Sequence, residues 1–241
     1  MRKTTNLDAV KEMAILFLNI KPIPIDSLGE LRGLFVSHPF FNSSFLINPI
    51  TKTMFNIFDE PQEFIEYKKF YGQELKKGKK VSSILIHITT PYKLTFFKYI
   101  NEYLSKEDFA ETLITCYTQM EVIADETNVT RKEIIKWFRK ADKNYLMNKD
   151  ELAVLKGLPD IVTIYRGVRS EDYKYGFSWT LSKSKAEWFA TRFERDTPIL
   201  LKTTVSREDI LCYTDNRNER EIIIDPEKLD KDKIIENHIA N

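Results

Sequence analysis

Glycine is scarce in this chain, with seven in 241 residues, and none of them forms a GxGxxG or a P-loop. The glycine-rich loops that cradle phosphates in the usual nucleotide-binding folds are thereby excluded. The two cysteines, Cys116 and Cys212, stand far apart with no metal-ligand or redox spacing, and read as buried free thiols. His38, His87 and His238 are scattered, so no ligand set can be built on them and no metal is expected. Long apolar runs are missing too. Stretches such as Met13 to Leu18 are far too short to span a bilayer, and no apolar segment with a small-residue cleavage site opens the chain. The expectation is a cytoplasmic protein with no membrane contact. Charge of one sign is also absent: 37 basic against 36 acidic side chains leave no global field to draw the chain onto nucleic acid.

What is present is a soluble globular composition, 42% hydrophobic and 30% charged, in a length that suits one large core or two modest domains. Leu7 to Leu18 has helical spacing, Pro22 and Pro24 interrupt the chain after it, and an aromatic-rich segment runs from Phe35 to Phe58. Lysines and aromatics interleave between Glu66 and Lys80. Such a patch suits a nucleic-acid strand, or is a solvated helix end; the neutral overall charge favours the second. The segment from Ile84 to Thr90 reads equally as helix or strand before Pro91.

Three helix starts then follow. Ser105 with Asp108, Thr130 with Glu133 and Asn148 with Glu151 have capping spacing, and Gly157 and Pro159 close the third helix. Their apolar stripes, Phe109 to Met120 and Ile134 to Ala141, read as core. Past Asp160 the pattern turns to short extended runs: Ile161 to Tyr165, Pro198 to Val205 and Ile222 to Ile224. One helix interrupts them, with Ser184 and Glu187 as its capping box and Ala186, Phe189, Ala190 and Phe193 as its stripe. The expectation is an α+β protein with a mainly helical domain over 1–150, supporting or recognising a target, and a second domain over 151–241.

Three small motifs carry chemistry. Arg166 ends the Ile161 to Tyr165 strand beside Gly167, where backbone can approach a ligand and a guanidinium fork can hold phosphate. Ser178, Trp179 and Thr180 alternate after Gly176, so the two hydroxyls face one side and the indole the other. Glu219 and Glu221 stand two apart in a run rich in β-branched residues that stops at Pro226. Read as a strand, that run puts both carboxylates on one face. The repulsion this costs is relieved by a cationic or hydroxyl-rich ligand lying against them.

Arginine, then Ser-x-Thr, then Glu-x-Glu, in that order on successive strands, resembles the Arg-Ser-Glu class of ADP-ribosyltransferases. The resemblance covers roughly residues 150–226, and Asp160 to Gly167, Phe177 to Phe193 and Arg217 to Pro226 look like a subgroup found in bacterial and phage proteins. The composition, rich in lysine, isoleucine and asparagine, fits an AT-rich genome of that kind. The resemblance implies a split β-sheet core that binds NAD as substrate and cleaves its nicotinamide-ribose bond. It implies that Arg166 meets the NAD phosphates or the nicotinamide-side ribose, that the Gly167 backbone holds the nicotinamide amide, and that Ser178 and Thr180 line the cofactor site, with Ser178 organising the catalytic glutamate. Glu221 takes the ribose 2′-hydroxyl and stabilises the developing cation, and Glu219 orients or deprotonates the attacking group, most often a guanidinium, so the implied acceptor is an arginine on a protein.

The chemistry is consistent with that division. Nicotinamide leaves neutral, so no general acid is needed, and negative charge beside an oxocarbenium-like ribose is the main requirement. Water in the acceptor's place gives an NAD glycohydrolase. A non-catalytic module that keeps the fold for binding is the rival from another class. The chain departs from the family in two places. Ser-Thr-Ser is replaced by Ser178-Trp179-Thr180, and the segment Glu194 to Thr197 has no aromatic for nicotinamide, for which Phe193 or Tyr173 would substitute.

Overall fold

The computed structural model describes residues 2–120, 128–192 and 198–239, and it mixes helix with sheet in an α+β architecture. Two compact units divide the chain, Met1–Ile134 and Ile135–Asn241.

The first unit is largely helical. Helix α1 (Leu7–Leu18) starts where the Asn6 side chain accepts the Ala9 N–H, and buries Val10, Ala14, Phe17 and Leu18. Two short antiparallel pairs follow, β1 (Ile23–Pro24) with β2 (Val36–Ser37) and β3 (Phe45–Ile47) with β4 (Met54–Asn56). Helix α2 (Pro61–Lys77) takes a proline in its first turn, where no N–H is required. Helices α3 (Val81–Leu85), α4 (Lys93–Ile100) and α5 (Lys106–Thr118) complete the unit. The ambiguous Ile84 segment is thus helical at its start, and Pro91 sits in the tight turn that leads into α4.

Aromatic edges organise two parts of this core. Phe17 meets Phe96 at 5.2 Å and Phe97 meets Phe109 at 5.1 Å, both edge to face. A second cluster joins Val36, Phe41, Leu46, Phe55 and Ile57 to Tyr67 of α2. The aromatics interleaved in the lysine-rich stretch are therefore used in packing: Tyr67 is buried and packs against Tyr71, the rings tilted by 41° with centroids 4.5 Å apart. Of the lysines, Lys68 lies over the Phe64 ring and Lys77 pairs with Glu74.

The second unit begins within helix α6 (Arg131–Lys140) and adds α7 (Lys143–Leu146) and α8 (Lys149–Gly157). Its sheet contains β5 (Ile161–Val168), β6 (Ser178–Thr180), β7 (Ile199–Ser206), β8 (Ile210–Thr214), β9 (Glu221–Ile224) and β10 (Ile235–His238), with α9 (Lys183–Thr191) between β6 and β7. The strand order is β10-β7-β5-β6-β9-β8, and every neighbouring pair is antiparallel. The change of character near residue 150 falls later than the division at Ile134/Ile135. Helical periodicity does not reveal which helices belong to the sheet, and these helices are bonded to β8. Lys143 Nζ donates to the Ile210 carbonyl, Met147 Sδ accepts from Tyr213 N, and Glu151 Oε1 accepts from Asp215 N.

The caps read from sequence are present at Ser105, at Thr130 with Glu133, and at Asn148 with Glu151. For α9 the cap is Ser182, whose hydroxyl accepts from Lys185 N, two residues before the expected Ser184. Phe193, the last residue of the expected stripe, lies outside the described residues.

A histidine stands deep in the first unit. His38, 1% exposed, stacks on Phe41, accepts the Phe40 N–H at Nδ1 (3.1 Å) and turns Nε2 to the Ile20 carbonyl (3.0 Å). With Nδ1 accepting, the proton belongs on Nε2, which donates to Ile20, and the ring is neutral. Burial, with the Lys68 charge adding to it and the Ile20 carbonyl opposing it, lowers its pKa from 6.5 to about 4. The unfolded chain therefore takes up this proton first as pH falls. The stability that His38 contributes is complete above pH 6.5 and declines between 6.5 and about 4. Urea unfolding across that window should cost wild type roughly 3 kcal/mol more than it costs His38→Gln. Parallel profiles for the two proteins would contradict the assignment.

Candidate active site

Arg166, Ser178 with Thr180, and Glu221 lie on three strands of one sheet. β6 pairs with β9 in the register Ser178↔Ile223, Trp179↔Ile222 and Thr180↔Glu221. Residues opposite one another share a face and neighbours along a strand alternate, so Ser178, Thr180 and Glu221 lie on one side. Trp179 alternates to the other side, where it is 1% exposed and donates its indole N–H to the Gly176 carbonyl. It is a core residue.

Glu221 opens β9 and is 5% exposed. The Ser178 hydroxyl hydrogen-bonds its carboxylate. Burial raises its pKa above the ordinary 4.5, and the negative charge of Glu219 adds to the rise; the Ser178 bond and the positive charges of Arg217 and Arg166 oppose it. Two carboxylates therefore do act on each other here, but not by the route the sequence suggested. Glu219 is not in the strand. Asn218 (φ 54°) and Arg220 (φ 47°) on either side of it are left-handed, so the chain kinks before Glu221 and strand alternation does not extend to Glu219.

A turn holds Glu219 instead. Asp215 accepts the Asn218 N–H on its carbonyl and the Arg220 N–H on Oδ1 (2.8 Å), which ties down both left-handed residues. The Thr180 hydroxyl donates to the Glu219 carbonyl at 2.7 Å and accepts from Ser182 N. Arg217 Nη2 donates to Glu219 Oε2 at 3.0 Å. Asp215 and Arg217 were not picked out from the sequence. Their only signal was the turn-forming run Asp215-Asn216-Arg217-Asn218, which says turn and nothing about chemistry.

Between β5 and β6 the sheet is joined by one register pair, Tyr165↔Thr180. β5 continues to Val168 along β7, while Trp179 and Ser178 do not pair with Arg166 and Gly167. The Arg166 guanidinium bridges the opening: Nη1 donates to the Ser178 carbonyl and Nε to the Tyr173 carbonyl. Gly176 makes room for it, since a Cβ there would lie within 2.6 Å of Arg166 Cζ. The turn that carries Tyr173 is fixed in turn by Lys174, paired with Glu171 and with Glu236 of β10. Tyr173 is 39% exposed. Phe193 and the segment Glu194 to Thr197, also weighed for the nicotinamide, lie outside the described residues.

Gly167 has a packing reason of its own. A Cβ on it would run into the Ala186 carbonyl and come within 2.7 Å of Ala190 N, so α9 lies directly on the β5 backbone at this point.

No protein-family model, curated protein or solved structure matches the chain. Among the described residues no group of three or more His, Cys, Asp or Glu is placed to hold a metal ion, and no helix is long and apolar enough to cross a membrane. Cys116 and Cys212 are free and buried.

Two stability outcomes follow from this geometry. Gly167→Ala should cost roughly 2–4 kcal/mol in thermal or urea unfolding, because α9 must shift. Gly157→Ala, with open space around its Cβ, should be neutral or slightly stabilising. Equal effects would contradict the close packing. Because the folded pKa of Glu221 is raised, the stability linked to its proton is present at low pH and is lost as pH rises above 4.5 through the folded value. Glu221→Gln should therefore melt higher than wild type at neutral pH, with the difference shrinking on acidification. A variant that melts lower at neutral pH would contradict the buried charge.

Proposed function

We propose that the protein is a NAD-dependent mono-ADP-ribosyltransferase that breaks the nicotinamide-ribose bond and passes ADP-ribose to a guanidinium acceptor, an arginine on a protein. The observation that carries the reading is the Glu221 carboxylate, held out of water on β9 and bonded by the Ser178 hydroxyl, with the charge of Glu219 close by. An oxocarbenium-like ribose needs fixed negative charge in a site that water does not screen, and a buried carboxylate with a locked orientation supplies it. In this reading Ser178 fixes the carboxylate, and Glu221 takes the ribose 2′-hydroxyl and faces the cation.

Glu219 belongs to a turn, so it is placed independently of the strand that carries Glu221. That separation suits two roles: one carboxylate for the ribose and one for the incoming guanidinium, which it orients and from which it accepts a proton. Arg166 stands at the opening in the sheet, bonded to the carbonyls of Ser178 and Tyr173, and a guanidinium fork there matches the pyrophosphate of NAD. The Gly167 backbone at the same opening, with no strand pairing on its β6 side, is available to an amide. Water in place of the acceptor gives glycohydrolysis at the same centre.

The test is incubation with labelled NAD and a cell lysate, with nicotinamide release followed beside label transfer. Glu221→Gln should lose both by roughly a hundredfold or more while remaining folded. Glu219→Gln should lose transfer and keep nicotinamide release. Equal labelling by wild type and Glu221→Gln would remove Glu221 from the reaction, and release without any transfer by wild type would favour the hydrolase.

A further inference from the structure

A buried lysine stands beside the carbonyl that holds Arg166, and among the described residues it is the one lysine that is buried. Lys174 is 7% exposed, and its Nζ lies 2.5 Å from Glu171 Oε2 and 2.5 Å from Glu236 Oε2. The peptide that joins Tyr173 to Lys174 is bound at both ends: its carbonyl accepts from Arg166 Nε, and its N–H donates to the Glu171 carbonyl. The Lys174 side chain ties this peptide to β10. Glu236 also stands in the row of Arg166, since Arg166 is opposite Leu201 on β7 and Leu201 is opposite Glu236. A second contact follows the same route: Lys231, a few residues before β10, lies over the Tyr175 ring at 4.6 Å. All four residues of β10 are exposed, and backbone pairing with β7 forms the strand, so the Glu236 carboxylate is not needed for that. A buried pair of charges adds little net stability, because desolvation offsets the attraction; what it supplies here is a fixed geometry.

We propose that Lys174 and Glu236 are positioning residues that set the NAD affinity of the site through Arg166, with β10 as their anchor. The proposal rests on the transferase reading, in which the Arg166 guanidinium meets the pyrophosphate. Neither Lys174 nor Glu236 touches NAD in it. Lys174 fixes the Tyr173 carbonyl, the carbonyl fixes Arg166 Nε, and a planar fork held at Nε has its other nitrogens directed. With the pair broken, the turn keeps its own backbone bond but loses its tie to the edge of the sheet, and Arg166 loses a fixed partner. The pyrophosphate does not react, so it is bound alike in the ground state and the transition state, and the cost falls on KM for NAD rather than on kcat. An edge strand two places from β5 thus tunes cofactor binding without contributing a group to the chemistry.

The experiment uses the whole chain. Nicotinamide release is measured over a range of NAD concentrations, and exchange of the Arg166 Nε–H with water is followed by NMR in the absence of NAD. Glu236→Gln removes the charge and keeps the backbone ladder of β10. It should raise KM for NAD about tenfold with kcat within about twofold of wild type. The Nε–H should exchange about tenfold faster or more, because the bond that protects it opens more often. Lys174→Met should do the same, and the double variant should be no worse than Lys174→Met alone, because the two residues act as one unit. Should Lys174→Met fail to fold, Glu236→Gln alone decides. His238→Gln, on the same exposed strand, should match wild type in both readouts. Unchanged exchange and KM in Glu236→Gln, or the same losses in His238→Gln, overturns the proposal while leaving the transferase reading intact. A fall in kcat at constant KM overturns it as well. Wild type that releases no nicotinamide overturns the transferase reading; the Nε–H exchange needs no substrate, and so separates that failure from a failure of the pair to hold Arg166.

Discussion

A carboxylate that is 5% exposed on an interior strand must be met by groups that tolerate its charge, and the surroundings of Glu221 are arranged by that need. The Ser178 hydroxyl bonds it, and the charges of Arg166 and Arg217 favour its ionised form, while burial and Glu219 oppose ionisation. The balance leaves a group whose protonated form is favoured more than usual, in the place where a cationic ligand would gain most. A site built this way is costly when empty and complementary to a developing positive charge when filled.

The sheet supplies the second half of the arrangement. Its β10-β7-β5 and β6-β9-β8 halves meet through a single register pair, Tyr165↔Thr180, and separate at Arg166 and Gly167. Ladder hydrogen bonds are replaced there by the Arg166 guanidinium, bonded to the carbonyls of Ser178 and Tyr173. On the opposite side of β5, α9 lies against the Gly167 backbone and fixes the strand from behind. Thr180 links this opening to the acidic turn: it forms the one register pair with β5, and its hydroxyl carries the Glu219 carbonyl. Thr180 thus joins both parts.

Much of the fold was legible because it depends on local chemistry. The Leu7 to Leu18 helix, the caps at Ser105, Thr130 and Asn148 and the runs that became β5, β7 and β9 all follow from periodicity and short-range hydrogen bonding. The edge strand β10 was missed because Ile235–His238 is polar and exposed, with no alternation to mark it. The compact units divide at Ile134/Ile135, before the change of pattern near residue 150, and the helices near residues 143–151 are joined to the sheet by long-range bonds to Ile210, Tyr213 and Asp215, which leave no local trace. In the site, Arg166, Ser178 and Glu221 were visible as motif residues. Glu219 was placed on the wrong element: two left-handed non-glycine residues cannot be read from a run that otherwise favours a strand.

Under the proposed function, the opening bridged by Arg166 and the carboxylate of Glu221 form one NAD site. Amide chemical shifts of the Glu221→Gln variant, followed as NAD is added, test it most directly. The account predicts saturable shifts concentrated on Arg166, Gly167, Ser178 and residue 221, with the turn at Asp215–Arg220 responding as well. Shifts confined to other parts of the chain, or none at saturating NAD, would contradict it.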